Sequence, residues 1–297
     1  MSDDDSPVVK NLFPGALPHI AGWGRGRLES RSKVPHSSQA LCVSVWGAIA
    51  QLPDRGQIMS SILSQAHIDL KVSGSPEVAC EVRGEWDLLR ERGGSNPTCP
   101  DVVVKWAGEA VLTIESKFTE HLGACSQPVA KRRGDRVLPA SCNGNYAAHS
   151  DLRRPEVSAC CRLTVQEGAR QARRYWAIAP QLFTPKSLEP GQSPCPFKGG
   201  AYQLMRNLSF AAALGERDSF ATRGFLLAYV KGSASAEATE KTFSAFEGML
   251  LQDVRGRVGK ITYEQIASLL HAHGAPQTFA LATWLRARLR AVLPDEA

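Results

Sequence analysis

Residues 100–117 constrain this chain more than any other stretch. They read Pro-Asp-Val-Val-Val-Lys-Trp, then Ala-Gly-Glu, then Ala-Val-Leu-Thr-Ile-Glu-Ser-Lys. Two β-rich runs, 101–106 and 111–117, flank a short turn holding Gly108, and this pattern predicts a hairpin. With the turn centred on Gly108, Asp101 stands directly across from Glu115. Lys117 shares their face, because strand side chains alternate with a period of two. The other face carries Val102, Val104, Leu112 and Ile114, an apolar surface suited to a core. The chain must therefore bury one face of the hairpin and hold two carboxylates and an ammonium at one end of the other.

The flanking sequence supplies the layers. Ser37 or Ser38 is the expected N-cap of a helix that carries Leu41, Val43, Val45 and Trp46. A second helix is expected over 54–69, with Ile58, Ile62, Leu63 and Ala66 on one side. Residues 76–83 alternate weakly and predict a first strand. After Lys117 the texture changes: 120–198 is rich in Pro, Gly, Cys and Arg and has little periodicity. Regular structure returns with a helix over 201–214 and a nearly continuous apolar run at 224–230, as expected of a strand buried on both faces. Helices are expected at 237–253, 262–273 and 276–292, the second opened by a capping box of Thr262 and Gln265. The order predicts an α/β protein with an αβββαβ core, its mixed central sheet flanked by helices and interrupted by a Cys-rich irregular insert. Residues 1–35 read as an irregular arm, 36–232 as the core with insert 120–198, and 233–297 as a C-terminal helical extension.

Several function classes find no support. The sequence has no Gly-x-x-x-x-Gly-Lys phosphate loop, no Gly-x-Ser-x-Gly elbow and no His-Glu-x-x-His pair. The start, Met-Ser-Asp-Asp-Asp, lacks the basic and apolar regions of a signal peptide, and the apolar runs at 41–51 and 208–214 are too short to span a bilayer. A cytoplasmic protein with no membrane partner is expected, and its 8 cysteines should be thiols or metal ligands. The net charge of +6 permits a polyanionic partner without requiring one.

Two acids and a lysine at one strand end suit hydrolysis of a phosphate ester with a hard cation. Asp101 and Glu115 can supply carboxylate oxygens, the Ser116 carbonyl a further one, and Lys117 can orient or activate the attacking water. Pro100-Asp101 followed by Glu115-Ser116-Lys117 resembles the signature of the PD-(D/E)XK, or restriction-endonuclease-like, nuclease superfamily. The stretches 37–42, 97–101, 115–120 and 195–207 are similar to a bacterial restriction-endonuclease group. The resemblance implies a restriction-endonuclease-like fold, Mg²⁺ (or Mn²⁺) held by Asp101 and Glu115, a catalytic Lys117, DNA as substrate, and a setting in restriction or phage defence. It also implies a role for Gln203, since related nucleases carry a Gln on the helix after the Lys strand. Gln203 and Asn207 share a face of that helix. Many members have an acid in the first core helix, but 37–51 contains none. Glu85 and Glu91 are the candidates for that third acid, with Glu85 preferred.

The insert offers two further expectations. Cys125, Cys142, Cys161 and Cys195 can make one structural Zn²⁺ site, although no Cys-x-x-Cys marks it. Arg132, Arg133, Arg173 and Arg174, with Arg206 on the following helix, can touch a nucleic-acid backbone. Double-strand cutting by a single-site nuclease calls for two copies, so a homodimer fits. The rival readings are a non-cleaving nucleic-acid-binding protein on the same fold and a zinc-stapled protein–protein interaction protein.

Overall fold

The computed structural model describes residues 11–21, 23, 34–83, 87–91, 97–126, 131–134, 136–138, 173–189 and 194–293. Among these, the strands are β1 (Glu77–Cys80), β2 (Val102–Trp106), β3 (Ala110–Lys117), β4 (Lys131–Arg133), β5 (Arg136–Leu138), β6 (Thr222–Tyr229) and β7 (Val258–Thr262). The α-helices are α1 (Leu17–Ile20), α2 (Ser38–Gln51), α3 (Arg55–Gln65), α4 (Tyr175–Ile178), α5 (Ala201–Arg217), α6 (Ala236–Gly248), α7 (Gln252–Arg255), α8 (Tyr263–His273) and α9 (Pro276–Val292).

The hairpin takes its expected form. Val102 pairs with Ile114 and Trp106 with Ala110, so the turn centres on Gly108, whose φ of 69° is the left-handed backbone that glycine adopts freely. β1 adds antiparallel to β2, and β6 then β7 add parallel to β3, giving a mixed sheet of order β1-β2-β3-β6-β7. The α/β order αβββαβ is present as α2, β1, β2, β3, α5 and β6.

Helices cover both faces. Val102, Val104, Leu112 and Ile114 pack into one core with α2, α3, α8 and α9. Val103, Val111, Phe225 and Leu227 pack into a second core with α4, α5 and α6. The central strand β3 is consequently buried at all eight positions, including the polar Thr113, Glu115, Ser116 and Lys117. The local signals hold where they were strong. Ser37 caps α2, its hydroxyl accepting the Ala40 N–H at 3.2 Å. Thr262 and Gln265 form the capping box of α8.

Three regions differ from expectation. Residues 14–20, read as irregular arm, form helical turns, and Leu12 and Ala16 are buried in the first core. The run 237–253 breaks into α6 and α7. Residues 258–262 form the edge strand β7, which the short, weakly alternating Val-Gly-Lys-Ile-Thr did not announce. Gly259 allows that strand to pass close to the end of α3: a Cβ there would lie 2.3 Å from the Ala66 carbonyl oxygen and 2.7 Å from Ile68 Cγ1.

The long excursion between β3 and α5 begins and ends at one place. The Cys125 N–H donates to the Lys198 carbonyl at 3.0 Å, and the Gly123 N–H donates to Gln203 Oε1 at 2.6 Å.

Gly259→Ala forces backbone against backbone and should cost about 1–3 kcal/mol. Urea denaturation should show a lower midpoint at unchanged slope. An unchanged midpoint would mean that β7 does not pack on α3 this tightly.

Candidate active site

Continuing the register one step beyond Val102 and Ile114 sets Asp101 opposite Glu115. Asp101 Oδ2 accepts the Ser116 N–H at 2.7 Å, so the acid is tied to the strand across from it. Glu115 is fully engaged. Its Oε1 accepts from Lys117 Nζ at 2.7 Å and from Gln203 Nε2 at 2.6 Å. Its Oε2 accepts from Asn207 Nδ2. Helical spacing explains the last two: residues four apart on α5 share the face laid over the end of β3. Glu115 and Lys117 are only 2% and 8% exposed, because α5 lies across them.

Burial makes these charges interact strongly. The Asp101 carboxyl is pushed well above its usual range, first by loss of water and then by the neighbouring Glu115, with Glu81 adding to the effect. Burial alone would pull the Lys117 ammonium down. Glu115 and Asp101 outweigh it, and its pKa is raised. The proton therefore stays on Lys117, ion-paired with Glu115.

A cavity of about 930 Å³ opens over the group, and Ser38, Glu81, Asp101, Glu115, Lys117 and Gln203 are among its walls. Sequence reasoning missed Glu81. This residue follows β1 directly, and pairing of Cys80 with Val102 brings residue 81 beside residue 101. Its N–H donates to the Asp101 carbonyl at 2.7 Å. Its φ is 51°, a left-handed backbone that costs a side-chain-bearing residue on the order of 1 kcal/mol. Its carboxylate lies 3.4 Å from Arg83 Nη2. The only sequence signal was an acid ending a strand that pairs with the one led by Asp101. Glu120 was missed as well; it lies 3.8 Å from Lys117 Nζ and accepts from the Ser38 hydroxyl.

The two acids favoured from sequence fare differently. Glu85 lies outside the described residues. Glu91 is buried away from the cavity, and its carboxylate accepts from the Thr98 N–H at 2.6 Å, from the Tyr175 hydroxyl and from Arg206 at 3.4 Å. It anchors the segment leading to Asp101 and is not a wall of the site.

Arg206, expected to touch nucleic acid, is engaged by the same group. It donates to Thr98 Oγ1 at 3.0 Å and stacks 5.4 Å from the Tyr202 ring, so it is spent inside the fold. Arg173 is buried and donates to the Arg90 carbonyl at 2.6 Å. Arg174 donates to the Leu88 carbonyl at 3.1 Å and pairs with Glu216 at 3.0 Å. Arg132 and Arg133 stand in β4, where Arg132 is exposed. Of the four cysteines, Cys125 and Cys195 line one small pocket of about 580 Å³ beside Lys198. Neither is in a disulfide. Cys142 and Cys161 lie outside the described residues.

Among the described residues, no group of three or more His, Cys, Asp and Glu side chains is arranged to hold a metal ion. The Glu81, Asp101 and Glu115 carboxylates at the cavity are hard oxygens, with more buried negative charge than Lys117 offsets. That set fits a hard divalent cation. None of the described helices is long and apolar enough to cross a membrane.

A family model described as restriction endonuclease associating with ARP matches residues 27–289. No curated protein and no solved structure matches the chain.

The charge balance predicts opposite responses to two substitutions. Lys117→Met leaves the buried carboxylates without their cation and should destabilise by about 3–5 kcal/mol. Asp101→Asn keeps an acceptor for the Ser116 N–H and removes a charge that burial disfavours. It should cost less than ~1 kcal/mol or stabilise. Chemical denaturation at neutral pH without metal compares them, and an Asp101→Asn protein weaker than Lys117→Met would refute this balance.

Proposed function

We propose a function from the premise that the chain belongs to the family described as restriction endonuclease associating with ARP: it hydrolyses phosphodiester bonds of DNA with the help of Mg²⁺ or Mn²⁺. The observation that carries this reading is the Asp101, Glu115 and Lys117 group at the wall of the large cavity, with Lys117 Nζ 2.7 Å from Glu115 Oε1.

Each residue has a part that its position supports. Asp101 and Glu115 would hold the cation, with the Ser116 carbonyl as a further oxygen. A divalent cation bound there would lower the pKa of water and offset negative charge on the phosphoryl oxygens in the transition state. The Lys117 ammonium has three donors. Glu115 occupies one direction, and the others can orient the attacking water and a phosphate oxygen. Gln203 and Asn207 steady the Glu115 carboxylate, fixing which way it presents its oxygens. Glu81 adds negative charge beside Asp101 and favours the cation further. In the reaction, the water oxygen forms a new bond to phosphorus. The bond to the leaving sugar oxygen breaks, and a proton ends on that oxygen.

A second reading rests on a specific feature. Both oxygens of Glu115 are taken by Lys117, Gln203 and Asn207, which suits a protein that binds nucleic acid without cutting it. A structural Zn²⁺ site of Cys125, Cys142, Cys161 and Cys195 is a separate part of the proposal, supported by the pocket that Cys125 and Cys195 share. So are a cytoplasmic location, a homodimer, a partnership with ARP, and a setting in restriction or phage defence.

Purified protein should cut duplex DNA in Mg²⁺ or Mn²⁺ and not in EDTA. Asp101→Asn and Lys117→Ala should each lower the rate by at least about a hundredfold. Mg²⁺ should raise the melting temperature of the wild type and leave that of Asp101→Asn unchanged. Binding without cleavage in either metal selects the second reading. Full cleavage by both variants removes the site assignment.

A further inference from the structure

Among the described walls of the large cavity, two side chains carry a full positive charge, Lys117 and Arg83. They differ in what can reach them. Lys117 is 8% exposed and lies between Glu115 at 2.7 Å and Glu120 at 3.8 Å. Arg83 keeps 44% of its side chain exposed. Its place is nevertheless set by the fold. The Glu81 N–H donates to the Asp101 carbonyl at 2.7 Å and the Val82 N–H to the Pro100 carbonyl at 3.3 Å. The chain is thus bonded to the segment that opens β2 up to the residue before Arg83. Arg83 Nη2 then donates to Glu81 Oε2 at 3.4 Å, and the Cys99 thiol is a second neighbour.

A contact of 3.4 Å is longer than the roughly 2.7–2.9 Å of a strong charge-assisted bond, and a pair this exposed on one side adds little to stability. Arg173, Arg174 and Arg206 differ in this respect, since they serve bonds inside the fold. The topology also separates the two cations of the cavity. β1, β2 and β3 are neighbours, and Glu81, Asp101 and Lys117 stand at the same end of the three. Strands about 4.8 Å apart set the ends of β1 and β3 about 10 Å from each other, so Arg83 and Lys117 address different phosphates of one strand. We propose that Arg83 is a substrate-binding residue whose guanidinium grips a phosphate neighbouring the scissile one. Its planar fork of donors matches two oxygens of a phosphate. The inference rests on the nuclease reading for its substrate class and adds which side chain holds that substrate at the site.

The first arm of the test uses the full chain carrying D101N, which removes one charge that repels phosphate. Binding to a short DNA duplex is measured in EDTA between about 50 and 200 mM salt. Adding R83S should flatten the slope of log affinity against log salt by about 0.9, the share of one phosphate contact, and weaken binding roughly tenfold at low salt. R83K keeps the charge and loses the fork, so it should keep the slope and bind with intermediate affinity. In the second arm, R83S in the otherwise wild-type chain is assayed in Mg²⁺. It should raise KM by about tenfold, more than it lowers kcat. An unchanged slope overturns the proposal, as does a fall in kcat at unchanged KM. Cleavage separates this inference from the nuclease reading. Wild-type protein that cuts DNA, with slope and KM unaltered by R83S, sinks the role of Arg83 alone. Wild-type protein that never cuts, with the expected flattening of the slope, sinks the nuclease reading alone.

Discussion

The ion pair between Lys117 and Glu115 sets the terms for everything around it. Two opposite charges 2.7 Å apart at the end of a fully buried strand are costly to desolvate unless every remaining lone pair finds a donor. The fold meets that demand from one helix. Gln203 and Asn207 bond the carboxylate from α5, which also seals the second core. A third charge, Asp101, is then too many for one ammonium, and burial first, then the neighbouring Glu115, raises its pKa. The region is stable enough to exist and carries an unbalanced buried negative charge, the electrostatic feature behind the proposed cation site.

No single element owns this group. The hairpin of β2 and β3 brings Asp101, Glu115 and Lys117, β1 brings Glu81, and α5 brings Gln203. The start of α2 brings Ser38, which donates to Glu120 and accepts the Phe118 N–H at 2.9 Å. Behind them, Tyr263 of α8 ties Ser116 Oγ at 2.5 Å to Trp46 Nε1 of α2 at 3.2 Å. The strand bearing the charges is thus held from the opposite core as well. Side chains at the cavity are positioned by bonds that are themselves buried, which keeps rotamer freedom low where geometry matters.

What could be read from sequence were features whose partners lie close by or follow a fixed period. The hairpin and its centre at Gly108, the cap at Ser37, the box at Thr262 and the shared face of Gln203 and Asn207 all belong here. Features defined by distant pairing were not legible. Glu81 matters because β1 pairs with β2 in one register, and nothing near Glu81 states that register. Arg206 looks the same in sequence whether it faces water or Glu91, which is 115 positions away along the chain. β7 carries so little alternation that only its place beside β6 makes it a strand. The matched family spans residues 27–289, so it covers the C-terminal segment with β7 as well as the hairpin.

The bond between the Cys125 N–H and the Lys198 carbonyl has a consequence for how such a chain diversifies. It closes a neck between the last strand residue of the site and the helix that completes it. For a segment tied at both ends, the entropic cost of added length rises only logarithmically. Added length beyond the neck, outside the residues of α4 that pack into the second core with α5, would leave Lys117 and Gln203 where they are. The site end of β3 and the free length of the excursion are thereby uncoupled, so the second can vary like an interchangeable cassette while the first is inherited intact.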